Sequence, residues 1–361
     1  MTTAPIPPPE LNDFSALAAV ELHGPMASCR VKSSVSGQEQ IAEWIEAKEV
    51  SEKLFSRVRR EWQSNSRQQP AGSLRQRHLY DTPARLVRVI DVPRGEPLAA
   101  QIFHTRFALK EVLPTAISLT RCLEDWHRLS RVHGWLNAGG VFRDAQFEVQ
   151  LRDGLVVHVH ADTDALALPV EQLVFIAPES SGLLARAISP ASDLYSVGVM
   201  IFAMLAGRAP IEASNTSDFF DRQLCIDPPR LRELGMEIPS ALDDVVARLL
   251  NRDPRNRYET ASALTHDLEQ LLERQQGRHT GRPFAIGTRD VRVQLAEPSL
   301  VGRDDAIQTI EESIHASRSG HARLHAIVAG EASDRRMLVD EIVLCAKTRG
   351  GLVLRGGASS I

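Results

Sequence analysis

Three carboxylates that could hold a metal ion or orient a hydroxyl follow one another closely. They are Asp144 in Phe142-Arg143-Asp144, Asp153 in Asp153-Gly154, and Asp162 in His160-Ala161-Asp162. Hard oxygen donors of this kind suit Mg²⁺, and an aspartate within reach of a hydroxyl can serve as a general base. Upstream, Cys29-Arg30-Val31-Lys32 offers a lysine on a strand-like run, and Arg59-Arg60-Glu61-Trp62 offers a glutamate that could pair with it. A lysine steadied by a carboxylate can hold phosphate oxygens as a point charge, although a lone Val-Lys equally suits a solvated surface. The four cysteines, Cys29, Cys122, Cys225 and Cys345, are too scattered for a Cys-x-x-Cys zinc or redox site. Their spacing fits a reducing compartment.

These residues need elements to position them. Residues 1–12 are proline-rich and expected to be disordered. Gln38 to Trp62 carries apolar residues at helical spacing (Ile41, Trp44, Ile45, Leu54, Val58), and Gln63 to Pro83 reads as a polar loop. Arg85 to Asp91 and Leu98 to Phe103 read as strands. Ala108 to Arg131 reads as a long amphipathic helix with Pro114 near its start, where proline is tolerated. Phe147 to Arg152 and Leu155 to His160 alternate around Asp153-Gly154, the pattern of a β-hairpin. From Asp193 to Arg274 the chain is helical in pattern.

Bulk properties exclude several classes. Lys+Arg 42 against Asp+Glu 46 gives a net charge of −4, which favours neither a nucleic-acid surface nor a polybasic membrane patch. Leu194 to Ala206 is apolar but shorter than the roughly 20 residues a bilayer needs. The N-terminus lacks the ordering of a signal peptide. A soluble, cytoplasmic protein is expected, with no nucleic-acid partner and no membrane insertion.

The most specific stretch lies between residues 176 and 205. It contains Ala177-Pro178-Glu179, then Ser192-Asp193-Leu194-Tyr195-Ser196-Val197-Gly198-Val199 opening an apolar helix. Downstream comes Asp253-Pro254-Arg255-Asn256-Arg257-Tyr258. Three motifs in this order resemble the C-terminal lobe of a protein kinase, where A-P-E closes the activation segment. The resemblance covers about residues 25–275 and is strongest after Val174. It implies that Glu179 pairs with Arg257 in the interior, and that Asp193 accepts backbone N–H bonds from the catalytic loop.

The same resemblance exposes gaps. The family needs a base aspartate, an asparagine and an aspartate for magnesium, and a lysine on the phosphates. Laid on H-R-D-x-K-P-x-N, the run His133 to Gly140 puts Trp135 at the base, Asn137 at the lysine and Gly140 at the asparagine. His160-Ala161-Asp162 then falls at D-F-G. In a second register Asp144 is the base and Val149 takes the asparagine position. In a third, Asp153-Gly154 sits at D-F-G. None restores the full set. No G-x-G-x-x-G precedes the first strands; Lys32 and Glu61 are the candidate phosphate lysine and its partner.

After a linker at 276–299, residues 300–361 resemble the start of the STAND (AAA-like) ATPase unit that follows a kinase-like domain in large bacterial signalling proteins. Its phosphate loop would read Gly330 to Met337, with Arg336 and Met337 replacing the lysine and hydroxyl residues of G-x-x-x-x-G-K-[ST]. The expectation is an α+β fold: a protein kinase-like two-lobe domain, plus a truncated α/β P-loop-like tail. Its divergent N-lobe spans 13–105 and its mainly helical C-lobe 106–275. The expected function is a degenerate kinase-like scaffold or regulator acting on protein partners of a signalling pathway, with no cofactor. The alternatives are an atypical Ser/Thr kinase using Asp144 or Asp162 with ATP and Mg²⁺, and a purely structural interaction module.

Overall fold

The computed structural model describes residues 11–23, 26–153, 170–180, 187–278 and 285–290, with short helical pieces between 308 and 342. A sheet lobe comes first. Its strands are β1 (Phe14–Ala16), β2 (Glu21–His23), β3 (Met26–Ser33), β4 (Glu39–Glu46), β5 (Gln76–Asp81) and β6 (Arg85–Asp91). They pair antiparallel in the order β1-β3-β4-β6-β5, with β2 also on β3. Between β4 and β5 runs helix α1 (Glu52–Arg67). Ser51 caps it by accepting the N–H of Leu54.

Side-chain alternation gives this sheet two faces. Ala27, Cys29, Val31, Ala42, Trp44, Val87 and Val89 form the outer cluster, where Leu11 also packs. Met26, Ile45 and Leu86 point the other way, onto Leu54, Phe55, Val58 and Trp62 of α1. By the same alternation Glu43 of β4 and Arg88 of β6 face α1, side by side in the strand register.

The second lobe is helical: α2 (Leu109–Arg128), α3 (Val170–Leu173), α4 (Pro190–Ala206), α5 (Thr216–Cys225), α6 (Ser240–Leu249) and α7 (Ala261–Gln275). Pro190 opens α4, and every residue from Ala191 to Ala206 is buried. Gly198 lets α6 approach closely: a Cβ there would lie 2.6 Å from that of Leu249. A small sheet, β7 (Glu96–Pro97), β8 (Val141–Arg143) and β9 (Val149–Leu151), lies at the junction of the lobes.

Four sequence expectations change. Residues 39–46 form a strand, because both faces of β4 are covered and so its apolar pattern lost the alternation of a half-exposed strand. The stretch expected as a loop continues α1 to Arg67 and contains β5, an edge strand whose polar residues face solvent. Leu98–Ala100 is a 3₁₀ turn. The hairpin forms across Asp144–Glu148, joining β8 to β9. The outer edge of β9 is taken by residues 72–74, which bond Leu151 through Gly72 O and Leu74 N–H. Residues 155–160, the expected second strand around Asp153-Gly154, lie outside the described residues. In the tail, 308–310, 312, 313 and 316 are helical, within the helix expected at Asp304 to Ser317. The phosphate-loop positions 330–337 lie outside the described residues.

Candidate functional site between the lobes

The loop from His133 to Gly140 is fixed by one buried carboxylate. Asp193, in the first turn of α4, accepts the N–H of His133 at 2.9 Å and that of Gly134 at 2.7 Å. His127 Nε2 lies 2.9 Å from the same carboxylate. His133 Nε2 contacts the Arg152 carbonyl oxygen at 2.9 Å, tying the loop to the end of β9. Asn137 Oδ1 accepts the N–H groups of Gly139 and Gly140 at 2.9 and 3.2 Å. Trp135 is buried in the helical-lobe core. The loop is thus tied down by hydrogen bonds within the protein, and Trp135 makes its centre apolar.

Above the loop lies a buried network of charge. Arg88 Nε donates to Glu43 Oε2 at 2.7 Å, and its two terminal nitrogens donate to the two oxygens of Asp153, one of them at 2.8 Å. Arg152 donates to the other oxygen of Glu43. Asn65 of α1 donates to Asp153 at 2.9 Å, and the Arg88 guanidinium stacks over Trp62 at 4.5 Å. Arg88 and Glu43 have essentially no exposure. Burial alone would raise the Glu43 carboxyl, but Arg152 and Arg88 outweigh it and hold it at about 2. Two cations therefore answer two anions, as groups withdrawn from water require. Glu61, on the same helix as Asn65, is pushed up to about 7 by burial and then by the charge of Asp153.

A third constellation braces the helical lobe. Arg257 grips Glu179 with two bonds of 2.6 and 3.0 Å, both side chains wholly buried. Ser192 donates to Glu179 at 2.7 Å. The remaining guanidinium hydrogens reach the carbonyls of Asn251, Arg252 and Ala191.

The candidate residues separate as follows. Glu179, Arg257 and Asp193 occupy the buried brace and the loop anchor. Lys32 is exposed on β3 opposite Glu39. Among the described residues no hydrogen bond or ion pair joins it to Glu61, which sits on α1 beside the buried network. Asp144 closes the β8–β9 turn: its Oδ1 accepts the N–H groups of Gln146 and Glu148, both at 2.9 Å. It stands at the far end of β8 from Gly140. Asp153, one of the two aspartates considered as magnesium ligands, lies two residues past β9 and meets Arg88. Asp162 and His160 lie outside the described residues. Glu43, Arg88 and Arg152 were missed. The available signal was a single charge inside each of two apolar runs, Leu86-Val87-Arg88-Val89-Ile90 and Ala42-Glu43-Trp44-Ile45.

An antiparallel sheet interrupted by one helix, a buried carboxylate anchoring a His-initiated loop, and an A-P-E glutamate held by arginine together define a kinase fold. The protein kinase domain model matches residues 27–268, and the chain belongs to that family. Over 95 residues it is 37% identical to hybrid signal transduction histidine kinase G of Dictyostelium discoideum, covering 26% of this chain and 3% of that protein. It is 29% identical over 149 residues to serine/threonine-protein kinase PknL of Mycobacterium tuberculosis, 41% of this chain and 37% of the relative. A probable serine/threonine-protein kinase of Streptomyces coelicolor is 24% identical over 221 residues, 58% of this chain and 32% of the relative. The chain thus spans between 3% and 37% of the length of these relatives. Among the described residues no helix is long and apolar enough to cross a membrane.

Proposed function

We propose that this chain carries a kinase fold that has lost phosphoryl transfer and serves as a scaffold or regulator within a signalling protein. The observation that carries this reading is the capture of Asp153 by Arg88. Asp153 lies two residues past β9, and the carbonyl just before it is bonded by His133. In the family this is the station of the D-F-G aspartate, which must hold magnesium. Here a guanidinium takes both of its oxygens.

ATP and Mg²⁺, which the family uses, do not fit these residues. Small-molecule sites are clefts of roughly 300–1,000 Å³. The void beside the charge network, lined by Asn65, Leu74, Arg88, Trp126, Arg152 and Asp153, is about 10 Å³, room for a water and not for a ligand. On the strand preceding α1, where the family sets its phosphate-binding lysine, the inward central side chain is Glu43, an anion that would repel phosphate. Gly140 supplies no ligand, and Trp135 presents an apolar ring where a base should orient the hydroxyl. Partners on this reading are protein segments of the signalling chain or its pathway in the cytoplasm, and residues from 300 onward begin a degenerate ATPase-like unit.

The test is transfer from radiolabelled ATP to a generic protein substrate with Mg²⁺ or Mn²⁺. No incorporation above a heat-treated control is expected. Incorporation that disappears on Asp144→Ala or Asp162→Ala would establish the active-kinase alternative instead.

A further inference from the structure

The buried charges do more than obstruct a cleft, because they are divided between the two lobes. Glu43 and Arg88 belong to the sheet lobe; Arg152 and Asp153 follow the junction strand β9. Arg88–Asp153 and Glu43–Arg152 both cross the gap, and Arg88–Glu43 welds the two crossings into one chain of alternating charge. In an active kinase the corresponding gap is bridged by the nucleotide and its metal ions, whose positive charge meets the metal aspartate. Here Arg88 supplies that positive charge to Asp153, and Glu43 supplies a carboxylate to Arg152 in the region a phosphate would occupy.

We propose that this four-residue network is a built-in clasp that closes the two lobes without any ligand. Around it stand the groups that favour the closed arrangement: Asn65 from α1 on Asp153, Trp62 under the Arg88 guanidinium, and Trp126 donating to Ser73 Oγ at 2.9 Å. The clasp makes the relative placement of the lobes a property of the sequence, so the module presents one fixed surface to its partners. This inference rests on the reading above, and the two fail in different measurements.

The experiment measures the inter-lobe distance by electron spin resonance on the full chain. Labels are placed at Cys225, exposed on the helical lobe, and at Val35→Cys, exposed on the β3–β4 turn. Cys345→Ser removes a competing thiol; Cys29 and Cys122 are buried. A single substitution would strand a buried charge and risk unfolding, so partners are removed together: Arg88→Met with Asp153→Asn, Glu43→Gln with Arg152→Gln, and all four. The parent protein is expected to give one narrow distance, identical with and without Mg-ATP. The fourfold variant, folded by circular dichroism, is expected to gain a longer-distance population, with each pair intermediate. A fourfold variant that keeps the narrow parental distance overturns the clasp, and so does one that no longer folds while both pairs keep that distance. A parent that is broad alone and narrows with Mg-ATP overturns the loss of nucleotide binding.

Discussion

Asp153 turns both carboxylate oxygens onto the guanidinium of Arg88, across the boundary between the sheet lobe and the helical lobe. This one relationship separates the chain's architecture from its chemistry. The kinase frame is kept, with Asp193 anchoring the loop and Arg257 holding Glu179. On the function proposed above, Asp153 stands at the station of the magnesium aspartate, and a residue of the sheet neutralises it.

The brace in the helical lobe is tested by truncating its cation. Arg257→Ala leaves the Glu179 carboxylate buried without its partner and should cost about 3–5 kcal/mol. Urea unfolding at neutral pH measures it. A loss below about 1 kcal/mol, the range of an exposed pair, would mean that the pair is not the brace inferred here.

Residues 285–290 of the linker bond to the helical lobe. Asp290 bonds Arg248 and accepts the Glu259 N–H, while Gly287 N–H donates to Asp267 at 2.6 Å. Gly287 has φ +71°, and a Cβ on it would lie 1.9 Å from Arg248 Nη1, whose guanidinium also stacks on Tyr258. Gly277 has φ +73° with open space around it. Gly287→Ala should therefore destabilise more than Gly277→Ala, by about 1–3 kcal/mol of crowding beyond the shared backbone strain. Equal thermal shifts for the two variants would remove the linker from the module.

Glu61 predicts an unusual pH profile. Its folded carboxyl is raised to about 7 from an ordinary 4.5, by burial and the facing Asp153, against the pull of Arg131, Arg88 and Arg57. The folded state therefore binds the proton more tightly, and stability falls as pH rises from about 4.5 to 7. Glu43 works the other way: held at about 2, it stabilises above pH 4.5 and that contribution is lost as pH falls towards 2. Denaturant titration should find the wild type more stable at pH 5.5 than at 7.5, with the difference reduced in Glu61→Gln. An identical difference in the variant contradicts the assignment.

The helical lobe was legible because its signals are local. A-P-E, the Ser192 to Val199 run and Arg257-Tyr258 each combine fixed residue types with short spacing, and α4 is apolar enough to need burial on every side. The sheet lobe was not legible for a physical reason. β4 is covered on both faces, so Ile41, Trp44 and Ile45 do not alternate with polar residues and happen to fit a helical period. β5 is an edge strand, and Gln76, Arg77 and His78 look like a loop. Asp153-Gly154 has the composition of a hairpin turn, yet the edge of β9 is bonded to residues 72–74, which lie about 80 positions away. Arg88 and Glu43 carry the site, and only tertiary structure shows that they meet. Lys32 was the visible lysine, but it lies one strand earlier than the helix-adjacent position.

The central claim is that this kinase fold does not take up nucleotide, and thermal unfolding with and without Mg-ATP tests it most directly. A ligand at 100 times its dissociation constant adds about 2.7 kcal/mol to the folded state. Superimposable unfolding curves are expected at millimolar Mg-ATP. A saturable rise in Tm that is lost on replacing Asp153 would contradict it, since that aspartate would then be serving a bound metal rather than Arg88.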